Sequence, residues 1–195
     1  MPRGTFALII GPTGVGKSTA MALAMKQLPE AGQTLSTTCR APRVNDKVAE
    51  LDGVHYNFLS CEEFQRRAQE GHFLEYAPYN QHWYGTGWGA LDAALDIYPL
   101  VVKIVEIQGA YIIKRKMPEA RTIFIKPGSF DDLEPRLRRR HPPMREEDIR
   151  ERLAIATTEI AKAGDCDHVV TNWEGKLDAC VDDILAILTP FARRS

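Results

Sequence analysis

No part of this sequence of 195 residues has the roughly twenty consecutive apolar residues that a membrane-spanning helix needs. The opening MPRGTFALIIG has one short apolar run before a glycine and lacks the layout of a secretory signal. Cysteine is sparse. Cys39, Cys61, Cys166 and Cys180 form no CxxC pair, which argues against a zinc ribbon or a thioredoxin-like motif and fits reduced thiols in a cytoplasmic protein. There is no excess of charge of one sign: the net charge is −1, so any anion site must be built from a local cluster. Internal repeats and low-complexity segments are also missing. What remains is a chain with 26% charged and 44% hydrophobic residues, the composition of a single globular domain with a real core.

The pattern along the chain is that of an α/β protein. Residues 6–10 (FALII), 100–107 (LVVKIVEI), 121–126 (RTIFIK) and 167–172 (DHVVTN) read as buried strands. Helical spacing covers residues 17–28, about 108–117, 130–140, 146–163 and 174–188, with His141-Pro142-Pro143-Met144 breaking the run between the third and fourth. Met21 and Met25, one turn apart on the first helix, read as core. The last five residues, FARRS, read as a frayed end. Strands alternating with helices predict a parallel sheet covered on both faces. Residues 35–88 are different in texture: short, turn-rich and aromatic. They read as an inserted, largely β lobe, with Ser60 and Glu63 at capping-box spacing opening one helix within it.

The first strand runs into GPTGVGKST, from Gly11 to Thr19, which matches G-x-x-x-x-G-K-[ST]. Gly11, Gly14 and Gly16 let backbone N–H groups converge on phosphate oxygens; Pro12, Thr13 and Val15 complete the loop. The helix that follows turns its positive end toward the same anion. Lys17 reaches β- and γ-phosphates, Ser18 offers a hydroxyl to Mg2+, and Thr19 follows on the first turn. The loop alone does not name a reaction. A guanine-reading Asn-Lys-x-Asp is absent; Thr171-Asn172-Trp173-Glu174 lacks both the lysine and the aspartate, and Glu106-Ile107-Gln108-Gly109 imitates a GTPase turn only loosely.

Soon after the loop comes STTCRAPR, residues 36–43, with two arginines flanking a proline. Planar, permanently charged guanidinium groups suit a phosphate monoester. DGVHYNF, EGHFLEYA and WYGT follow in order, then IQG, an R-L-x-x-R segment and V-x-N. In this ordered set the chain resembles the guanylate kinases, from the glycine loop nearly to the C-terminus.

The resemblance implies a P-loop NTPase-type parallel sheet flanked by helices, with an inserted GMP-binding β lobe and a helical lid: a core of residues 1–34, 89–137 and 149–195, the lobe at 35–88 and the lid at 138–148. It implies an enzyme transferring the γ-phosphate of ATP to GMP, and to dGMP, with Mg2+, acting as a monomer or homodimer in the cytoplasm with no membrane or nucleic-acid partner. Ser36, Arg40, Arg43, Tyr56 and Tyr84 would grip the GMP phosphate. Glu75 would accept from guanine N1–H and the 2-amino group, and Thr86 would donate to O6. Adenine has neither donor and would leave Glu75 unpaired. Arg136, Arg140 and Arg152 match the lid arginines, with Arg138 and Arg139 as surface charges; Lys17, Arg43, Arg140 and Arg152 would stabilise the transferring group. Asn172 would lie near the adenine of ATP.

The chain departs from the family pattern in places. Where the pattern reads L-D-I-D-x-Q-G, residues 103–109 read KIVEIQG: Ile104 replaces the first aspartate and Glu106 the second. Glu106 is expected to take over part of the acid's role at the GMP site. About four residues are added between Arg43 and Tyr56, the lid carries Pro142 and Pro143, and Thr13 stands where serine is usual. Two rivals are a same-fold kinase with another acceptor, such as a ribosyl phosphate, and a guanylate-kinase-like module that binds phosphorylated or acidic peptides. Glu75 and Thr86 oppose the first, and the intact glycine loop opposes the second.

Overall fold

The computed structural model describes residues 3–45, 48–79, 81–139 and 144–193. In chain order the elements are β1 (Thr5–Ile10), α1 (Lys17–Gln27), β2 (Ala31–Gln33), β3 (Thr37–Thr38), β4 (Val44–Asn45), β5 (Val48–Ala49), β6 (Asn57–Phe58), α2 (Cys61–Gln69), β7 (Phe73–Tyr79), β8 (His82–Gly87) and α3 (Trp88–Ile97). Then follow β9 (Leu100–Ile104), α4 (Ile107–Lys116), β10 (Arg121–Pro127), α5 (Leu133–Arg138), α6 (Glu146–Ala161), β11 (His168–Asn172) and α7 (Leu177–Ala192).

β1 lies at the centre of a parallel sheet of order β11-β10-β1-β9-β2. Its residues 6–10 are all buried, because helices cover both faces. Ala7 and Ile9 meet Met21, Ala24, Val181, Ile184 and Leu188 from α1 and α7 on one face. Phe6, Leu8 and Ile10 meet Leu91, Leu95, Ala110 and Ile113 from α3 and α4 on the other. Met21 is core, as the pattern predicts, and Met25 is partly buried against it.

Two core elements escape the sequence pattern. β2 is only Ala-Gly-Gln, with no apolar run to betray it; a Cβ on Gly32 would sit 2.2 Å from the Tyr98 ring, so the strand is glycine-bearing because that ring covers it. Residues 89–99, given no element by the pattern, hold most of α3, whose Leu91, Ala94 and Leu95 form its buried stripe. The C-terminal helix also corrects the expectation. It starts at Leu177, after a turn in which Gly175 has φ +69°, and it runs through Pro190 to Ala192. FARRS is therefore not a frayed end up to that point: Ala192 is buried, Phe191 packs on the core, and the Arg121 guanidinium lies 5.5 Å from its ring.

The lobe is a second sheet of order β6-β3-β8-β7, with β4 and β5 as a separate hairpin. Its own core is small: Cys39, Phe64 and Phe73, with Phe64 and Phe73 stacked at 4.5 Å between centroids. The capping box at α2 forms only in its first half, Ser60 Oγ accepting from Glu63 N at 3.1 Å, since Glu63 spends its carboxylate on Arg66 and Arg67. β7 joins the two bodies. Phe73 points into the lobe core and Leu74 into the core of the main sheet. Lys116 at the end of α4 donates to Leu74 O at 2.7 Å.

Candidate functional site

The glycine loop leaves the C-terminal end of β1 and enters α1. Gly11 has φ +146°, and a Cβ there would stand 2.2 Å from Ile125 O on the neighbouring strand. Gly16, the residue before α1, has φ +99°, and a Cβ would lie 2.6 Å from Nδ2 of Asn172. That amide is buried and donates to Val15 O at 2.8 Å. Asn172, expected near the adenine, is thus a clamp on the loop itself. Lys17 folds back onto the loop, donating to Gly11 O and to Pro12 O, the latter at 3.2 Å. Ser18 and Thr19 are exposed on the first turn of α1. Arg136 braces the loop from α5: it donates to Val15 O at 3.4 Å and Asn172 O at 3.2 Å, and pairs with Glu174 at 2.8 Å. A cavity of about 530 Å³ lined by Trp173, Glu174, Ser129 and Asp132 opens beside it.

The lobe brings the other set together. Arg40 is buried, its fork bidentate on Glu50 at 2.7 and 2.9 Å, with Nε donating to Tyr84 OH at 3.1 Å. Its guanidinium lies 5.3 Å from the Tyr56 ring centroid, and Tyr56 stands edge-on to Tyr84. Glu50 also accepts from the backbone N of Arg43 at 2.7 Å, while the Arg43 side chain is exposed. The Arg40 bridge, then the Arg43 amide, hold the Glu50 carboxyl down at about 2. Glu50 was not predicted; it sits in the lengthened segment after Arg43 and orders the arginine that was.

Glu75 and Thr86 are register partners on β7 and β8. Both are buried, and the Thr86 hydroxyl donates to Glu75 Oε1. The Ile107-Gln108-Gly109 turn presses against this pair: a Cβ on Gly109 would come 3.3 Å from Glu75 Oε2. Ser36 accepts from Lys103 Nζ at 2.8 Å.

Glu106 precedes α4, and its carboxyl acts electrostatically on Glu159 of α6. Burial first, then Glu106, pushes the Glu159 carboxyl up to about 7, against the pull of Lys17. Glu159 was also unpredicted; the signal available was a glutamate in phase with the buried Ile149 and Ala156 of α6. On the lid side, Arg138 is exposed and bridges Glu134 to Glu146, and Arg139 reaches Glu174 at 3.1 Å. Arg152 is half-buried on α6. Arg140, Pro142 and Pro143 lie outside the described residues.

Both groups of side chains therefore gather at or beyond the C-terminal ends of parallel strands, where α/β sheets bind ligands. The sequence model of the guanylate kinase family matches residues 3–189.

This chain belongs to the guanylate kinase family.

The guanylate kinase of Desulfitobacterium hafniense (strain Y51) is 36% identical over 186 residues, covering 95% of this chain and 90% of that protein. The guanylate kinase of Thermosynechococcus vestitus is 40% identical over 169 residues, covering 87% and 86%. The crystal structure of guanylate kinase from Anaplasma phagocytophilum superposes with a TM-score of 0.72 at 25% identity, covering 100% of this chain and 89% of that one. Proteins named guanylate kinase thus align over most of this chain, and over all of it in the structural comparison.

Proposed function

We infer that the protein is an ATP:GMP phosphotransferase, converting ATP and GMP, and by the same recognition dGMP, to ADP and GDP. The observation that carries the acceptor assignment is the buried Glu75–Thr86 pair. A carboxylate beside a hydroxyl meets guanine's adjacent N1–H and 2-amino donors and its O6, and meets no matching donors on adenine.

Donor and acceptor have separate holders. The loop N–H groups and Lys17 take the ATP phosphates, with Asn172 and Arg136 fixing the loop from behind. Arg40, Arg43, Tyr56, Tyr84 and Ser36 take the GMP phosphate. A GMP phosphate oxygen attacks the γ-phosphorus in line, the bond to the β-phosphate oxygen breaks, and ADP leaves. Arg43, Arg152 and Arg140 balance the charge on the moving group, and closure of lobe and lid excludes water as a rival acceptor. The residues fit Mg2+. The Ser18 hydroxyl is exposed at the start of α1, and no group of three or more His, Cys, Asp or Glu among the described residues forms a protein-only cage. Ser18 would hold the ion beside the ATP phosphates. When bound, the ion would neutralise charge on the ATP phosphates. Among the described residues no helix is long and apolar enough to cross a membrane; we place the enzyme in the cytoplasm.

The test is ADP release with Mg2+ and ATP, comparing GMP, dGMP, AMP, CMP and UMP. GMP should exceed AMP in kcat/KM by about 10⁴-fold. Equal use of all nucleotides, or none, overturns the reading.

A further inference from the structure

Lys103 interrupts the apolar run of β9, in the place where the family pattern carries leucine. Its register partner on β1 is Leu8, a fully buried core residue, and Lys103 itself is only 5% exposed. An ammonium has three N–H donors. Among the described residues Lys103 donates one hydrogen bond, to Ser36 Oγ at 2.8 Å. The charged group that faces it is Glu75, from β7. Burial drags the amine down to about 8, and Glu75 opposes that only in part.

The neighbouring strand end shows the same shortage of partners. β2 pairs with β9 as far as Gln33 beside Val102, so Thr34 follows at the level of Lys103. The Thr34 hydroxyl is buried and, among the described residues, has no hydrogen-bond partner. Buried donors left over at the C-terminal edge of a parallel sheet point to a ligand that completes them. The ligand must be anionic, because it has to match an ammonium, and it must reach Ser36, because that hydroxyl is what the ammonium holds.

We propose that Lys103 is a further acceptor-binding residue, one that contacts the phosphate of the bound GMP together with Ser36. The proposal rests on the GMP reading above. It gives the acceptor site a cation at 103 in the same strand that has lost an acid at 104, so phosphate is gripped from the sheet side as well as from Arg40 and Arg43.

The experiment is steady-state kinetics of the whole enzyme and of Lys103→Met, a near-isosteric apolar change. Losing a charge-assisted hydrogen bond should raise KM for GMP by roughly 10- to 100-fold. KM for ATP should hold within about twofold if the loss is confined to the acceptor. Calorimetric affinity for guanosine, which has no phosphate, should be the same in both proteins. In the wild type, kcat/KM for GMP should fall as pH rises through about 8, where the amine loses its proton, and this limb should be missing in the variant. The wild-type limb needs no variant, so it stands even if Lys103→Met folds poorly. A KM for GMP within twofold of wild type with the pH limb retained overturns the proposal, as does an equal loss of guanosine affinity. Those results leave GMP turnover by the wild type intact. Failure of the wild type to use GMP at all removes the underlying reading, and this proposal with it.

Discussion

Thr86 donates its hydroxyl to Oε1 of Glu75 across the β7–β8 pair, and both side chains are buried against the Gly109 turn of α4. The carboxylate is therefore positioned before the base arrives: Thr86 holds Glu75 and Gly109 leaves room beside it, and when guanine N1–H and its amino group take over the carboxylate, the single Thr86 proton is released to turn to O6. Glu75→Ala should lower kcat/KM for GMP by about 10²- to 10³-fold, since a charged partner of two donors is lost. Discrimination against AMP should shrink with it. A Glu75→Ala enzyme that keeps its preference for GMP would place base recognition elsewhere.

Asn172 fixes the glycine loop through Val15 O. Asn172→Ala leaves that buried carbonyl with less support and opens space beside Gly16, so stability should fall by about 1–3 kcal/mol. KM for ATP should rise several-fold while KM for GMP stays near its value. Urea denaturation and two-substrate kinetics check both halves.

Arg40 and Glu50 form a bidentate pair, with Arg40 only 5% and Glu50 15% exposed at the side chain. Glu50→Ala should destabilise the protein by about 3 kcal/mol, because it strands a buried guanidinium. The pH dependence follows from the depressed Glu50 carboxyl, moved from 4.5 to about 2. The pair's contribution is complete above about pH 4.5 and is lost as pH falls toward 2. Glu50→Gln should therefore flatten part of the acid limb of a stability–pH curve.

Glu159 carries the opposite sign. Its carboxyl is raised from 4.5 to about 7, so the folded protein holds a proton that the unfolded chain releases. Stability should fall as pH rises from about 4.5 to 7 and level off above. Glu159→Gln should lessen that fall, gaining relative to wild type by about 1–3 kcal/mol between pH 5 and pH 8. Chemical denaturation at several pH values measures the difference.

The legible parts of the sequence were those where chemistry fixes both residue type and spacing. The glycine loop was one, since Gly11 and Gly16 have no room for a Cβ. The buried strands of residues 6–10 and 121–126 were another, since apolar runs report burial on two faces; the strand expected over 100–107 ends at Ile104, because the chain turns there through Val105 and Glu106 into α4. β2 was not legible, because three residues of Ala-Gly-Gln owe their place to Tyr98 and to pairing with β9. Nor was the role of Glu50, Lys103 or Glu159. Each is a charged residue whose meaning depends on a partner that spacing does not reveal: Glu50 turns back to Arg40 within the lobe, Lys103 reaches Ser36, and Glu159 lies beside Glu106. Asn172 ends β11, as the sequence indicates, and its amide bond to the glycine loop was not legible, because it joins residues far apart in the chain.

Among the described residues the lobe has a hydrophobic centre of three buried side chains, Cys39, Phe64 and Phe73, while the large sheet is packed on both faces. It is anchored to the rest through Leu74 and the Lys116 bond. Such a body belongs to the low end of the range of local opening energies. Backbone amides of β3, β6 and β8 should therefore exchange with deuterium faster than those of β1, β9 and β10. An acceptor that bridges Ser36, Arg40, Glu75 and Thr86 adds cross-links to those the lobe already has, so binding the small substrate should raise the opening energy of the part that recognises it, read as slower exchange of the same amides.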